Sequence, residues 1–135
     1  MPFTHKYTLV CDEVRQENNG KLIVIGLYTD KLAVPQIPFQ LPALSFLYTF
    51  DTDRPGDCQF RARLENLETG NVLAQAMGVI QVVRPGSAVS VLGFRNINLE
   101  RIGTYTMSLN IDEETEPITT SIEVILQPQQ APLGA

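Results

Sequence analysis

Tryptophan is absent from the 135 residues, histidine occurs once and cysteine occurs twice. His5 lies in the N-terminal lead, where side chains are usually solvated, so it is a poor base for a nucleophile–base–orienter triad. Cys11 and Cys58 lack the Cys-x-x-Cys spacing of zinc and redox sites. We therefore expect no catalytic residues, no cofactor and no enzymatic activity.

The missing tryptophan also bears on the two cysteines. An antibody-type core packs a tryptophan against its disulfide, and this chain cannot do so. Free cysteine is among the most frequently buried residue types. We interpret Cys11 and Cys58 as small buried hydrophobic residues with free thiols.

Long apolar runs are missing as well. No stretch approaches the roughly 18 apolar residues of a membrane helix, and residues 1–6 lack the apolar centre of a secretion signal. The net charge is −5, and an acidic chain does not attract phosphate backbones or anionic membranes. We expect a cytoplasmic protein whose partners are neither nucleic acid nor membrane.

The chain does contain a hydrophobic period of two along almost its whole length. Tyr105, Met107, Leu109 and Ile111 alternate with polar residues, as in a strand with one wet face. The same alternation predicts strands at about 6–15, 21–29, 43–51, 58–67, 72–83, 88–94, 103–112 and 118–126, with a short extra strand possible at 31–34 and an irregular piece from 95 to 100.

Turn residues separate these runs, and they fix the expected fold class. Asn-Asn-Gly at 18–20, Arg-Pro-Gly-Asp at 54–57 and Arg-Pro-Gly-Ser at 84–87 are typical hairpin or loop sequences. The pattern predicts an all-β, two-sheet antiparallel β-sandwich of about eight strands, immunoglobulin-like or C2-like, with a barrel less favoured. We expect one domain over 1–126, a flexible tail over 127–135, and a loop or crossover in the proline-rich segment 35–42.

Several of these residues resemble a family of small uncharacterised bacterial proteins, a domain of unknown function. The matching features are Cys11-Asp12, Glu17-Asn18, Gly20-Lys21-Leu22, Ile25-Gly26-Leu27-Tyr28, the Pro-Phe and Leu-Pro pairs within 38–42, and Gly103-Thr104-Tyr105. The resemblance implies a bacterial β-sandwich. It implies no activity and no functional residues.

Acidic residues at the loop tips make the strongest candidate for metal binding. Asp51, Asp53 and Asp57, with a glycine at 56, echo the start of a calcium loop, but Pro55 and Ala62 stand where further ligands belong. A sandwich can instead bind calcium between loops, and these acids could converge with Asp112 and the two glutamates after it. The alternative is that aspartate simply forms turns and keeps the tips soluble.

Residues 21–29 are apolar on both faces, unlike an ordinary antiparallel strand. Leu22, Val24 and Tyr28 lie on one face, and Ile23, Ile25 and Leu27 on the other. Leu47 breaks the alternation of residues 44–50 in the same way. Either the proline-rich loop, with Ile37, Phe39 and Leu41, covers the second face, or another protein chain does. The candidate interface residues are Ile23, Ile25, Leu27, Leu47 and Phe39.

Two functions remain open. The first is a non-catalytic protein-interaction or assembly module, which self-associates or binds a different protein. The second is a ligand-binding β-sandwich that uses its acidic loop tips for calcium, a lipid headgroup or carbohydrate. The sequence favours the first, because an apolar second face is present and a catalytic set is not.

Overall fold

The computed structural model describes residues 3–53, 55–111 and 116–128. Every regular element within these ranges is a β-strand. The strands are β1 (Phe3–Gln16), β2 (Leu22–Tyr28), β3 (Lys31–Val34), β4 (Phe39–Thr52), β5 (Gly56–Asn66), β6 (Val72–Val82), β7 (Gly86–Leu99), β8 (Gly103–Ile111) and β9 (Ile118–Leu126). In the described part of the chain, no helix could cross a membrane.

The strands form two sheets, one of four strands in the order β2-β1-β4-β7 and one of five in the order β3-β9-β8-β5-β6. Neighbours run antiparallel, except that β3 lies parallel to β9. The predicted all-β sandwich is confirmed. The short strand at 31–34 exists, and its parallel pairing was not anticipated.

The chain alternates between the sheets in a Greek-key manner. It changes sheet between β2 and β3, β3 and β4, β4 and β5, β6 and β7, and β7 and β8. The last crossing is fixed by the Tyr105 hydroxyl, which donates a 2.7 Å hydrogen bond to the Arg101 carbonyl four residues upstream. Such a tyrosine corner is typical of immunoglobulin-like sandwiches.

The core lies between the sheets and is dominated by β4. Phe46, Tyr48 and Phe50 are fully buried, with the rings of Tyr48 and Phe50 stacked 6.1 Å apart. Leu64 and Met107 of the five-stranded sheet belong to the same cluster. Since β4 lies inside the four-stranded sheet, its alternate residues reach the centre of the sandwich.

β4 and β7 switch faces together at Pro42 and Asn96. After Pro42, the core-facing residues of β4 have even numbers, as Leu44 does. Before Pro42, the buried residue is the odd-numbered Leu41, whose partner Ile97 in β7 is also buried. Pro42 has no N–H for the ladder, and Asn96 has a φ of 56°, which is uncommon outside glycine. A simple period of two therefore cannot describe either strand across this point.

This switch corrects the expectation for the proline-rich segment. Residues 35–38 form the connection, and β4 already begins at Phe39. Ile37 and Phe39 pack against the central core, and Phe39 pairs with Leu99 of β7. The irregular piece expected at 95–100 is likewise mostly strand, because β7 continues to Leu99.

Candidate interaction surface

The outer face of the four-stranded sheet carries apolar residues from every one of its strands. Because Phe46 and Leu92 face the core, their neighbours in sequence face outward. Strand register then aligns Leu9, Leu47 and Val91 in one row across three strands. We call the apolar residues of this face the outer band; they are Tyr7, Leu9, Ile23, Ile25, Leu27, Leu47, Val89 and Val91.

Much of the outer band is open to solvent. Relative exposures are 48% for Tyr7, 41% for Ile23, 39% for Ile25, 55% for Leu27, 50% for Val89 and 40% for Val91. The three β2 residues lie opposite Arg15, Glu13 and Cys11 of β1, which places them on one face. The structure thus groups Ile23, Ile25 and Leu27 as the alternation predicts, and the described part of the chain leaves them partly exposed.

The floor of the outer band is tightly packed. Cys11 is completely buried on this face, between Leu27 of β2 and Ser45 of β4. Burial, reinforced by the charge of Asp12, raises the pKa of the Cys11 thiol. Its sulfur lies 3.7 Å from the Glu13 carbonyl. A buried thiol of raised pKa is a packing element and a poor nucleophile.

Charged groups border the outer band. Glu13 and Arg15 of β1 lie opposite Ile25 and Ile23, and Glu13 lies 3.3 Å from Arg15 and 4.0 Å from Arg95. At the far end of the sheet, Lys6 lies 3.8 Å from Asp51. An apolar centre with a charged rim is the usual anatomy of a protein–protein interface.

The outer face of the five-stranded sheet differs in character. Its aligned rows are polar, including Arg63 opposite Ser108 and Glu65 opposite Thr106. Met77 and Val79 are exposed there, but both lie on β6 at the edge of the sheet. The sandwich therefore has one wet face and one apolar face.

Asp12, Gly26 and Tyr28 meet at the β1–β2 edge. The Tyr28 hydroxyl donates a 2.5 Å hydrogen bond to Oδ1 of Asp12. Gly26 has a φ of 70°, and a Cβ atom added to it would collide with Oδ2 of Asp12. The β1–β2 resemblance noted in the sequence thus includes three residues that contact or approach one another.

Two candidate interface residues need correction. Leu47 lies in the outer band but is only 4% exposed, so it packs beneath the exposed side chains and offers little surface to a partner. Phe39 lies far along β4 from Leu47 and packs on the core, so it does not belong to this surface. The idea that the 35–42 loop covers the second face of β2 is also wrong, because Ile37 and Phe39 of that segment pack against the core.

Sequence reasoning missed Tyr7, Val89 and Val91. The alternation of Val89 and Val91 with Ala88, Ser90 and Leu92 was visible, but their face could be assigned only once β7 was paired with β4. Tyr7 follows a register shift in β1 between His5 and Tyr7, which sequence periodicity does not reveal. Pairing between distant strands decides membership of the band.

The acidic loop tips yield no assembled metal site in the described ranges. The Asp51 carboxylate forms an ion pair with Lys6 and accepts a 3.5 Å hydrogen bond from the Ser87 hydroxyl. No group of three or more histidine, cysteine or acidic side chains that could hold a metal ion occurs among the residues described. Asp112 and the glutamates at 113 and 114 lie outside those residues, so calcium binding between the tips stays a prediction.

A small polar cleft of about 280 Å³ lies near the tyrosine corner. Its lining includes Asn66, Asn71, Asn98, Glu100 and Arg101. The Asn66 side chain is committed to local structure, since its oxygen accepts hydrogen bonds from the amides of Glu68 and Thr69.

His5, the one histidine, hydrogen-bonds Thr8 at 2.7 Å.

A family model covers most of the chain. It describes a family of unknown function, DUF6941, and matches residues 6–125. The chain belongs to this family. No curated protein matches this DUF6941 chain in sequence.

Solved structures resemble the DUF6941 fold at low identity. The C-terminal domain of wzt has 16% identity and a TM-score of 0.51, with 98% of this chain and 78% of that one covered. A β-glucosidase, EmGH1, from Erythrobacter marinus has 10% identity, a TM-score of 0.48 and 91% coverage of this chain. The β-D-glucoside glucohydrolase of Trichoderma reesei has 9% identity, a TM-score of 0.49 and 91% coverage. This chain spans only 15% and 19% of those two enzymes.

Proposed function

We propose that this DUF6941 protein is a non-catalytic interaction module that binds a protein through the outer band. The observation that carries the proposal is the exposed side of β2 formed by Ile23, Ile25 and Leu27, which adjoins the row of Leu9, Leu47 and Val91. Large contiguous apolar patches are rare on monomeric proteins, and they usually mark binding surfaces.

The energy available from the band fits a reversible interaction. Full burial of a large apolar side chain stabilises by roughly 1.5–3 kcal/mol. The six exposed members of the outer band are each about half exposed, so covering them would release roughly 4–8 kcal/mol by the same scale. Association itself costs about 4–15 kcal/mol, so the charged rim and backbone contacts must supply the remainder.

The chemistry of the remaining residues supports binding over catalysis. The buried cysteine Cys11 has a raised pKa, and His5 is hydrogen-bonded to a threonine and to no acid within the described residues. The two free, buried cysteines also support our proposal of a cytoplasmic, reducing location.

Aspartate substitutions on the two faces test the proposal. Leu27→Asp and Ile23→Asp place a charge in the outer band at positions that are already partly exposed to solvent. Val79→Asp is the matched control, because Val79 is 48% exposed on the other sheet. All three variants should keep the β-sheet circular dichroism of the wild type.

The readout is the mass of the native particle by light scattering and stoichiometric recovery of a bound protein from the source cells. The two band variants should lose the association and the control should keep it. The proposal fails if the band variants associate as the wild type does, or if the wild type shows neither self-association nor a stoichiometric partner.

A further inference from the structure

β2 is an end strand with an unusually apolar edge. Among the described strands it pairs with β1 alone, and from Leu22 to Tyr28 it carries no charged residue and no proline. The other end strands contain polar or charged residues, such as Lys31 in β3, Gln75 in β6 and Arg95 in β7. Natural proteins usually protect an end strand with charge, proline or a covering element, because an open edge recruits another strand.

The β1–β2 turn fixes which backbone groups of β2 point to the open edge. The Glu17 amide donates a 2.8 Å hydrogen bond to the Lys21 carbonyl, so residues 17 and 21 form a hydrogen-bonded pair. Such pairs recur at every second residue of an antiparallel ladder. In the regular ladder, Ile23, Ile25 and Leu27 therefore direct their N–H and C=O groups at β1, and the even-numbered residues of β2 direct theirs outward.

We propose that β2 pairs antiparallel with β2 of a second copy of this chain, about a two-fold axis at Ile25. This proposal rests on the proposed function and names the partner. Val24 then hydrogen-bonds with Gly26 of the second copy, and Leu22 with Tyr28 of the second copy. This register pairs the outward-pointing groups of Leu22 and Tyr28, whereas Gly26, with a φ of 70°, departs from extended geometry and weakens the two Val24–Gly26 pairs.

The same register joins the two outer bands. Ile25 lies opposite Ile25 of the second copy, and Ile23 lies opposite Leu27 of the second copy. These are non-hydrogen-bonded positions, where facing side chains approach most closely. The apolar β2 rows of the two copies thus lie side by side and contact each other at the centre of a continuous eight-stranded sheet.

Charge supports a second copy in the antiparallel direction. Lys21 and Asp30 flank β2 at opposite ends, and both are exposed. Antiparallel pairing about Ile25 brings Lys21 beside residues 29 and 30 of the second copy, whereas parallel pairing would place like charges together. A seven-residue edge buries less than the roughly 800 Å² per partner of a standard interface, so we expect dissociation in the micromolar range.

Opposite charges at Ile25 give the sharpest test. Ile25→Lys and Ile25→Glu should each be monomeric by analytical ultracentrifugation at concentrations where the wild type dimerises. Because residue 25 faces itself across the axis, an equimolar mixture of the two variants should restore the dimer. Val91→Lys, on the same face but on the far strand β7, should dimerise like the wild type.

Cysteine cross-linking tests the register. Ile25→Cys should form an intermolecular disulfide under mild oxidation, since non-hydrogen-bonded antiparallel positions lie within disulfide distance. Ile23→Cys should not, because its neighbour across the axis is Leu27. The native cysteines are buried and provide no competing bridge.

Two results would overturn the inference. A wild type that stays monomeric up to millimolar concentration excludes self-pairing, yet leaves the proposed function standing if the band variants still lose a different protein partner. A dimer that Val91→Lys abolishes and Ile25→Lys preserves would be face-to-face packing of the sheets, which contradicts edge pairing while retaining the outer band as the interface.

Discussion

Tyr28 donates its hydroxyl to the carboxylate of Asp12 across the β1–β2 hairpin, at a distance of 2.5 Å. The bond joins residues 16 positions apart and lies beside Gly26, whose backbone lets the carboxylate approach closely. β2 is held to the sheet at this point by a side-chain contact as well as by its ladder.

Substitution of Gly26 should therefore destabilise the protein. Gly26→Ala introduces a Cβ atom that collides with Asp12 and forces a left-handed backbone on alanine, which costs about 1–2 kcal/mol for the backbone alone. Gly70→Ala is the control, because Gly70 has a similar φ of 75° but open space around it. Urea unfolding should show a larger loss for Gly26→Ala, and equal losses would contradict the role of Asp12.

Alkaline pH should weaken the fold through two tyrosines. Burial raises the pKa of Tyr28, and the hydrogen bond to Asp12 and the charge of Asp12 raise it further, while burial raises the pKa of Tyr48. Both groups are raised above the unfolded value of about 10. Their stabilisation is complete below that pH and is lost as the pH rises through the folded values.

The measurement is the free energy of unfolding between pH 8 and the alkaline limit of the folded state. Wild type should lose stability above about pH 10, the ordinary tyrosine pKa, and Tyr28→Phe should lose less over the same interval. An identical pH dependence in both proteins would show that Tyr28 titrates normally in the folded state.

Truncation of two leucines should distinguish a core position from a surface position by the loss of stability that each causes. Leu64 is 1% exposed inside the sandwich, whereas Leu27 is 55% exposed in the outer band. Leu64→Ala should cost about 2–5 kcal/mol, the usual range for a buried leucine. Leu27→Ala should cost less than about 1 kcal/mol when measured on the monomer, because surface substitutions rarely exceed this. A large loss at Leu27 in a monomeric protein would mean that the band is part of the core.

The thiols of Cys11 and Cys58 should be protected in the folded protein. Both side chains are buried and unbridged, and the pKa of Cys11 is raised. A disulfide reagent at mildly alkaline pH should label neither residue until denaturant is added, and should then label both. Rapid labelling of the native protein would indicate that the floor of the outer band opens.

Calcium provides the test of the acidic loop tips. If Asp51, Asp53 and Asp57 do not assemble a site, calcium and EDTA should give the same melting temperature. A ligand that binds only the folded state raises that temperature by mass action. A reproducible increase with calcium, absent with magnesium, would favour the ligand-binding alternative.

The sequence by itself determined most of the strands, the turns between them and the all-β class, but not the full extent of β4 and β7. Alternation is a local property, so Tyr105 to Ile111 and the Asn-Asn-Gly turn at 18–20 could be interpreted without knowing their neighbours. The second apolar face of β2 followed from the same local pattern.

The tertiary structure decided which faces meet and which stay open. Leu9, Leu47 and Val91 form one row only because β1, β4 and β7 are paired in a particular register across long stretches of chain. The face switch at Pro42 and Asn96 turns Phe39 toward the core and away from the outer band. Alternation assigns a residue to one side of its own strand. Whether that residue is buried depends on which strand or sheet packs against that side, and only pairing between segments distant in sequence determines this.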